Sequence, residues 1–182
     1  MPRYVAFLRG INLGKRRLAM TRLQSLVQEI GYAGVETFIA SGNVVFSTPQ
    51  SNTATVETTI ARHLEKSLGY PVDTFVRSLK DVDRIAGTRV FPQDGQEGIT
   101  IHVAFLHQPL PKETVAALGK IQTGYDEFRV HGRELHWLCH GKMSDSKVWT
   151  LPEVKALKMP SSTMRNITSL RKLVARFAVT QD

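Results

Sequence analysis

Val35-Glu36-Thr37-Phe38-Ile39-Ala40-Ser41-Gly42-Asn43-Val44-Val45-Phe46 is the stretch whose reading decides the fold. Two β-forming runs, Val35 to Ala40 and Val44 to Phe46, flank Ser41-Gly42-Asn43. The small polar residues and the glycine give the backbone the freedom that a tight hairpin requires. Two consecutive strands are therefore expected in the middle of the first half of the chain.

Outward from the hairpin, each neighbour reads as a helix and then a strand. Upstream, Thr21 opens a helix, with Gln24 three residues later in a capping-box pattern. Leu23, Leu26, Val27 and Ile30 fall on one face of it, and Gly31 supplies the stop. Before it, the near-continuous apolar run Tyr4-Val5-Ala6-Phe7-Leu8 predicts a central strand buried on both faces. Downstream, Thr53 to Leu68 carries Val56, Ile60, Leu64 and Leu68 at helical spacing, with Gly69 and Pro71 ending the helix. Val72 to Arg77 reads as a fourth strand, and a short helix runs from Ser78 to about Ile85. Residues 3–78 thus spell β-α-β-β-α-β, the split βαβ or ferredoxin-like unit, with its first and third strands central.

The second half is less regular. Residues 91–98 are polar and turn-rich, which predicts a linker between a ferredoxin-like subdomain (1–90) and a smaller α+β subdomain (99–182). Its elements read as a strand from Thr100 to Leu106, a helix from Lys112 to Ile121, and strands Glu127–Val130 and Glu134–Cys139 around His131-Gly132-Arg133. Ser144 to Leu157 is weakly helical, with Pro152 either breaking or starting the helix. Thr168 is expected to cap a last helix, packing back through Leu170, Leu173, Val174 and Phe177. No internal repeat is convincing. The fold class is α+β.

Composition supports a packed protein: 42% of the 182 residues are hydrophobic and 22% charged. No run approaches the ~20 apolar residues of a membrane span, and the apolar run before Arg9 is too short for a secretion signal. Cys139 is the single cysteine, which suits a reducing compartment. A cytoplasmic location is expected, with no membrane partner. The formal charge is +8 and is unevenly placed, at +4 over residues 1–48, −1 over 49–141 and +5 over 142–182. If the ends meet, they form a basic face that attracts phosphates or nucleic acid; otherwise the charge only solubilises.

The most pointed chemistry is Arg9-Gly10-Ile11-Asn12-Leu13-Gly14-Lys15-Arg16-Arg17, after a buried strand and before a helix. Glycines let a ligand approach the backbone, and guanidinium groups fork onto phosphate or carboxylate oxygens. The loop lacks the Gly-Lys-Ser/Thr of a phosphate-binding loop and the spacing of a dinucleotide fingerprint. Antiparallel pairing of the first and third strands brings it beside the Ser41-Gly42-Asn43 bend. Arg9, Asn12, Lys15, Arg16, Ser41 and Asn43 are accordingly candidate ligands for an anion. The alternative is that the glycines only make turns and the asparagines bond local backbone. Arg165 and Asn166, before the last helix, either join that anion site or clamp the helix to the rest.

Other chemistries find less support. Of His131, His136, Cys139 and His140, only His136 and His140 share a strand face, too few for a metal, so no metal or cofactor is expected. Ser41 lies in a strand-to-strand turn and lacks the strand-to-helix elbow of a hydrolase nucleophile. No pair of carboxylates is spaced for acid–base catalysis.

Arg9-Gly10-Ile11-Asn12-x-Gly14, Met20-x-x-Leu23, Gly31-Tyr32-x-x-Val35-x-Thr37 and Ser41-Gly42-Asn43-Val44-Val45-Phe46, with Met164-Arg165-Asn166-Ile167-Thr168 near the other end, carry a family likeness. In these motifs the chain resembles the family known as domain of unknown function 1697. The resemblance implies an α+β fold of two ferredoxin-related subdomains in a small cytoplasmic protein, and it implies no catalytic residues. Lys15-Arg16-Arg17 stands where members of that family often carry Gly and Asn.

Three functions remain open at this point. The chain binds a small anion (a nucleotide, phosphate or carboxylate) at residues 9–17 and 41–43, or it binds nucleic acid through a basic face, or it is an interaction protein without a ligand. Against nucleic acid, the strand around Phe46 lacks the paired aromatics that stack bases. Whether the protein is an enzyme, and its oligomeric state, are not readable from the chain.

Overall fold

The apolar run at the start of the chain becomes strand β1 (Arg3–Arg9), whose middle five residues are all buried. The computed structural model describes residues 1–39 and 42–178, and the chain divides into two units. The first is Met1–Ile85 with the described residues from Leu173 onward; the second is Ala86–Lys172.

In the first unit β1 is followed by α1 (Met20–Gln28), β2 (Ala33–Phe38), β3 (Asn43–Ser47), α2 (Thr53–Leu68), β4 (Asp73–Ser78) and α3 (Leu79–Gly87). The sheet order is β2-β3-β1-β4, and every neighbouring pair is antiparallel. This is the ferredoxin-like order, with β1 and β3 central. Even-numbered side chains of β1 (Tyr4, Ala6, Leu8) meet Leu23 and Leu26 of α1 and Val56, Ile60 and Leu64 of α2. Burying each of the larger aliphatic side chains contributes roughly 1.5–3 kcal/mol, so this face contributes substantially to the first unit's stability.

Helix α2 follows the expected boundaries: Asn52 caps it through Thr55 N–H, and Gly69 closes it at φ 78°. Helix α1 does not. It begins at Met20 on an Ala19 cap that makes no side-chain bond. Gln24 instead donates its amide to Val35 O at 2.8 Å, fastening the helix to β2. A long-range partner thus displaced the local capping box.

The second unit contains β5 (Thr100–Phe105), α4 (Lys112–Gly119), β6 (Asp126–His131), β7 (Glu134–Cys139), two 3₁₀ turns (Met143–Asp145 and Val148–Thr150), α5 (Pro152–Lys155), β8 (Thr163–Asn166) and the start of α6 (Ile167–Phe177), whose residues from Leu173 onward belong to the first unit. Its sheet order, β6-β7-β5-β8, is also antiparallel throughout and repeats that of the first unit. The repeat is one of topology, with the second helix reduced to short turns. Strand β8 was not expected from the sequence, and it completes the sheet. The last helix is capped by Asn166 Oδ1, which accepts Thr168 N–H at 2.8 Å, so Asn166 and not Thr168 is the cap. Arg171 of α6 forks onto Asp94 with bonds of 3.1 and 2.5 Å and also donates to Ala86 O. Among the described residues no helix is long and apolar enough to cross a membrane.

Candidate functional site

The end of β1 and the bend before β3 meet because these strands are antiparallel neighbours. Ala6 pairs with Val44 and Phe7 with Asn43, and Leu8 N–H donates to Gly42 O at 2.9 Å. The chain then turns at Gly10 (φ 78°), and Ile11 folds back over Gly42, itself at φ 81°. Ile11 is only 3% exposed, so the junction of the two loops is filled by an apolar side chain.

Around that plug the loop is held by its own polar groups. Asn12 Oδ1 accepts Leu18 N–H at 2.9 Å, which closes the loop end to end. Arg17 donates to Gly14 O at 2.9 Å and Arg16 O at 2.8 Å. Asn43 is buried, and its Nδ2 donates to Phe38 O at 3.0 Å across the hairpin. Both asparagines therefore bond backbone, as the alternative reading anticipated. Ser41 lies outside the described residues.

Arg9, Lys15, Arg16 and Arg17 are exposed, so the loop turns four cations outward. The Arg16 guanidinium lies 4.1 Å from the centre of the Tyr70 ring, a cation–π distance. Asp73 stands opposite Arg9 across the β1–β4 ladder and offsets part of the charge.

Arg165 and Asn166 belong to the second unit. Arg165 sits in β8 opposite Val103 and is 7% exposed; it donates to Thr163 Oγ1 at 2.8 Å and Met164 O at 2.9 Å. Burial brings its guanidinium down to about 10, and it remains a cation at neutral pH. Asn166 is occupied in capping α6.

His136 and Cys139 of the hairpin are core residues, while His131 and His140 are exposed. His136 is buried, with its ring 5.5 Å from that of His131, and burial together with His131 lowers it to about 4. Burial, with Asp126 adding to it, pushes the Cys139 thiol up to about 12, so it is not a thiolate nucleophile at neutral pH. Among the described residues no three His, Cys, Asp or Glu side chains gather as a metal site would need.

Two features of the second unit escaped the sequence reading. Asp126 is buried and accepts bonds from Trp137 Nε1 (2.8 Å), Ser146 Oγ (2.6 Å) and Thr123 Oγ1 (2.7 Å). It ties the 3₁₀ segment to β6 and β7, a structural task met by neutral donors. Residues 107–111 and 157–161 face one another across a cleft, and no charge run or motif marks them.

Comparison with known proteins adds the family and the fold. No curated protein matches the chain. The fold is similar to that of a conserved bacterial protein, SP0830 from Streptococcus pneumoniae, with a TM-score of 0.74 and 22% sequence identity over 98% of this chain and 99% of that one. At that identity the likeness concerns architecture alone. Residues 1–136, well over half of the chain, match the family described as "Protein of unknown function (DUF1697)", and the chain belongs to that family.

Proposed function

We propose that the protein binds a small anion bearing phosphate or carboxylate groups at the loop of residues 9–17. The observation that carries this reading is the division of labour within the loop. Ile11, Asn12 and Asn43 fix its backbone against the hairpin, while the side chains of Arg9, Lys15, Arg16 and Arg17 are exposed, Arg17 bonding loop carbonyls and Arg16 lying over Tyr70. A frame held in this way needs little reordering when an anion arrives, and arginine can receive two oxygens at once. Asn12 and Asn43 serve the site as supports. Arg165 and Asn166 belong to the second unit and form no part of this proposal.

Nucleic-acid binding through the sheet is the weaker reading. Phe46 is fully buried and stacks on Tyr32 at a centroid distance of 4.7 Å, so it is not available to a base. Thermal melting with pyrophosphate and with nucleoside triphosphates tests the proposal. A ligand-dependent rise in Tm should vanish in Arg9→Ala, whose unliganded Tm stays near that of the parent. Absence of any rise, or an equal rise in the variant, would overturn the site. Binding to RNA with a steep salt dependence, and none to the small anions, would favour the other reading.

A further inference from the structure

The split βαβ order dictates one more meeting of loops. In each sheet the first and fourth strands are antiparallel neighbours, so the loop leaving the first lies beside the one entering the fourth. In the first unit Arg9 pairs with Asp73, and the two loops touch through Arg16 and Tyr70. In the second unit Phe105 pairs with Thr163, which places residues 106–111 beside residues 156–162. Here the loops do not close on each other. They leave a cleft of about 380 Å³, within the range of small-molecule pockets.

The walls of the cleft are mainly apolar: Pro109, Leu110, Pro111, Leu157 and Pro160. Three of these five are prolines, whose fixed φ keeps both loops from collapsing inward. The polar lining comes from His107, Gln108, Thr114, Lys158 and Ser161, and it includes no Asp or Glu. Lys158 is thus the one lining side chain with a fixed charge at neutral pH. It is held at φ 47°, in the left-handed region that a β-carbon disfavours, with its N–H donating to Lys155 O at 3.2 Å. Backbone outliers of this kind cluster at ligand sites, where the surrounding structure holds them. Pro111 and Thr114, at the start of α4, also line the cleft, and that helix has no side-chain cap; Glu113 in its first turn offsets part of the dipole.

We infer that the second unit carries a separate binding site for a small organic carboxylate with an apolar body. The body would lie among Leu110, Leu157 and the prolines, and the carboxylate would meet Lys158, with Gln108, Thr114 and Ser161 as neutral donors. The residues of this cleft all belong to the second unit, and those of the basic loop to the first.

The test uses the whole chain and a matched pair of probes, benzoate and its neutral isostere benzamide, followed by amide chemical shifts in NMR. Benzoate should shift residues 107–111 and 157–161 saturably in the millimolar range, and benzamide should bind about tenfold more weakly or worse. Lys158→Gln should weaken benzoate by a similar factor. Lys158→Gly, which relieves the left-handed backbone, should lose the same affinity while melting no lower than the parent. Arg9→Ala should leave benzoate binding unchanged, which separates this inference from the loop proposal. Equal affinity for the two probes, no saturable shift at the cleft, or full binding by both Lys158 variants would overturn it.

Discussion

Gly42 lies directly beneath Ile11: a β-carbon at position 42 would stand 2.7 Å from Ile11 Cδ1 and 3.3 Å from Leu8 Cβ. This contact joins two residues thirty-one positions apart in the chain. It explains why a glycine is needed in the hairpin bend beyond the needs of the turn. The same glycine adopts φ 81° and accepts the Leu8 N–H through its carbonyl, so conformation, packing and pairing coincide at one residue.

Gly42→Ala should therefore destabilise the first unit by about 2 kcal/mol, combining left-handed strain with overpacking against Ile11. Urea unfolding monitored in the first unit measures it. The double variant Gly42→Ala/Ile11→Ala should show non-additive losses, because removing Ile11 makes room for the new methyl group. Strict additivity would mean that the loops are not joined through this contact.

Edge strand β4 carries a second internal fastening. Glu57 of α2, 6% exposed, accepts Val76 N–H at 2.8 Å and lies 3.8 Å from the buried Arg77 guanidinium. Glu57→Ala removes both interactions and should cost about 3 kcal/mol. Glu57→Gln keeps an acceptor for Val76 and should lose less. Hydrogen exchange at the Val76 amide distinguishes the two, rising sharply in the alanine variant and modestly in the glutamine one.

These fastenings show what a sequence can and cannot disclose. The strands and helices of the first unit were legible because Leu23, Leu26, Val56, Ile60 and Leu64 recur at helical spacing and Gly69 ends α2 where a left-handed residue is required. Strand β8 was not legible, because its two buried positions are Thr163 and Arg165 and hydrophobic alternation has nothing to register there. Its absence from the reading hid the completeness of the second sheet. The 3₁₀ segment after β7 depends on Ser146 reaching Asp126, a partner twenty residues away. At the site, topology correctly brought residues 9–12 beside the bend at 42–43. Residue type alone could not tell that Asn12 and Asn43 bond backbone while the cations face outward.

Cys139 should resist alkylation by iodoacetamide at pH 8 in the native protein and react on unfolding, since burial, reinforced by Asp126, raises its thiol to about 12. The sign of the linkage follows. In the unfolded chain the thiol ionises near 9, so the stability owed to the buried thiol is complete below that pH and is lost as pH climbs toward 12. Cys139→Ala should flatten the alkaline limb of the stability profile. Rapid labelling of native protein at pH 8 would show the thiol to be accessible.

His136 sets the corresponding acid limb. Burial, with His131 adding like-charge repulsion, holds it at about 4 against its usual 6.5, and Arg129 stands opposite it in the β6–β7 ladder. As pH falls, the unfolded chain takes up the proton first. Stability from the neutral imidazole is thus complete above 6.5 and declines through the interval down to about 4. The slope is at most about 1.4 kcal/mol per pH unit, amounting to about 3 kcal/mol across the window. His136→Gln, which does not titrate, should show a shallower fall in urea midpoint between those limits, while the acid unfolding due to carboxylates lower down remains. A variant whose midpoint falls as steeply as the parent's would mean that His136 gains its proton equally easily in the folded and unfolded chains.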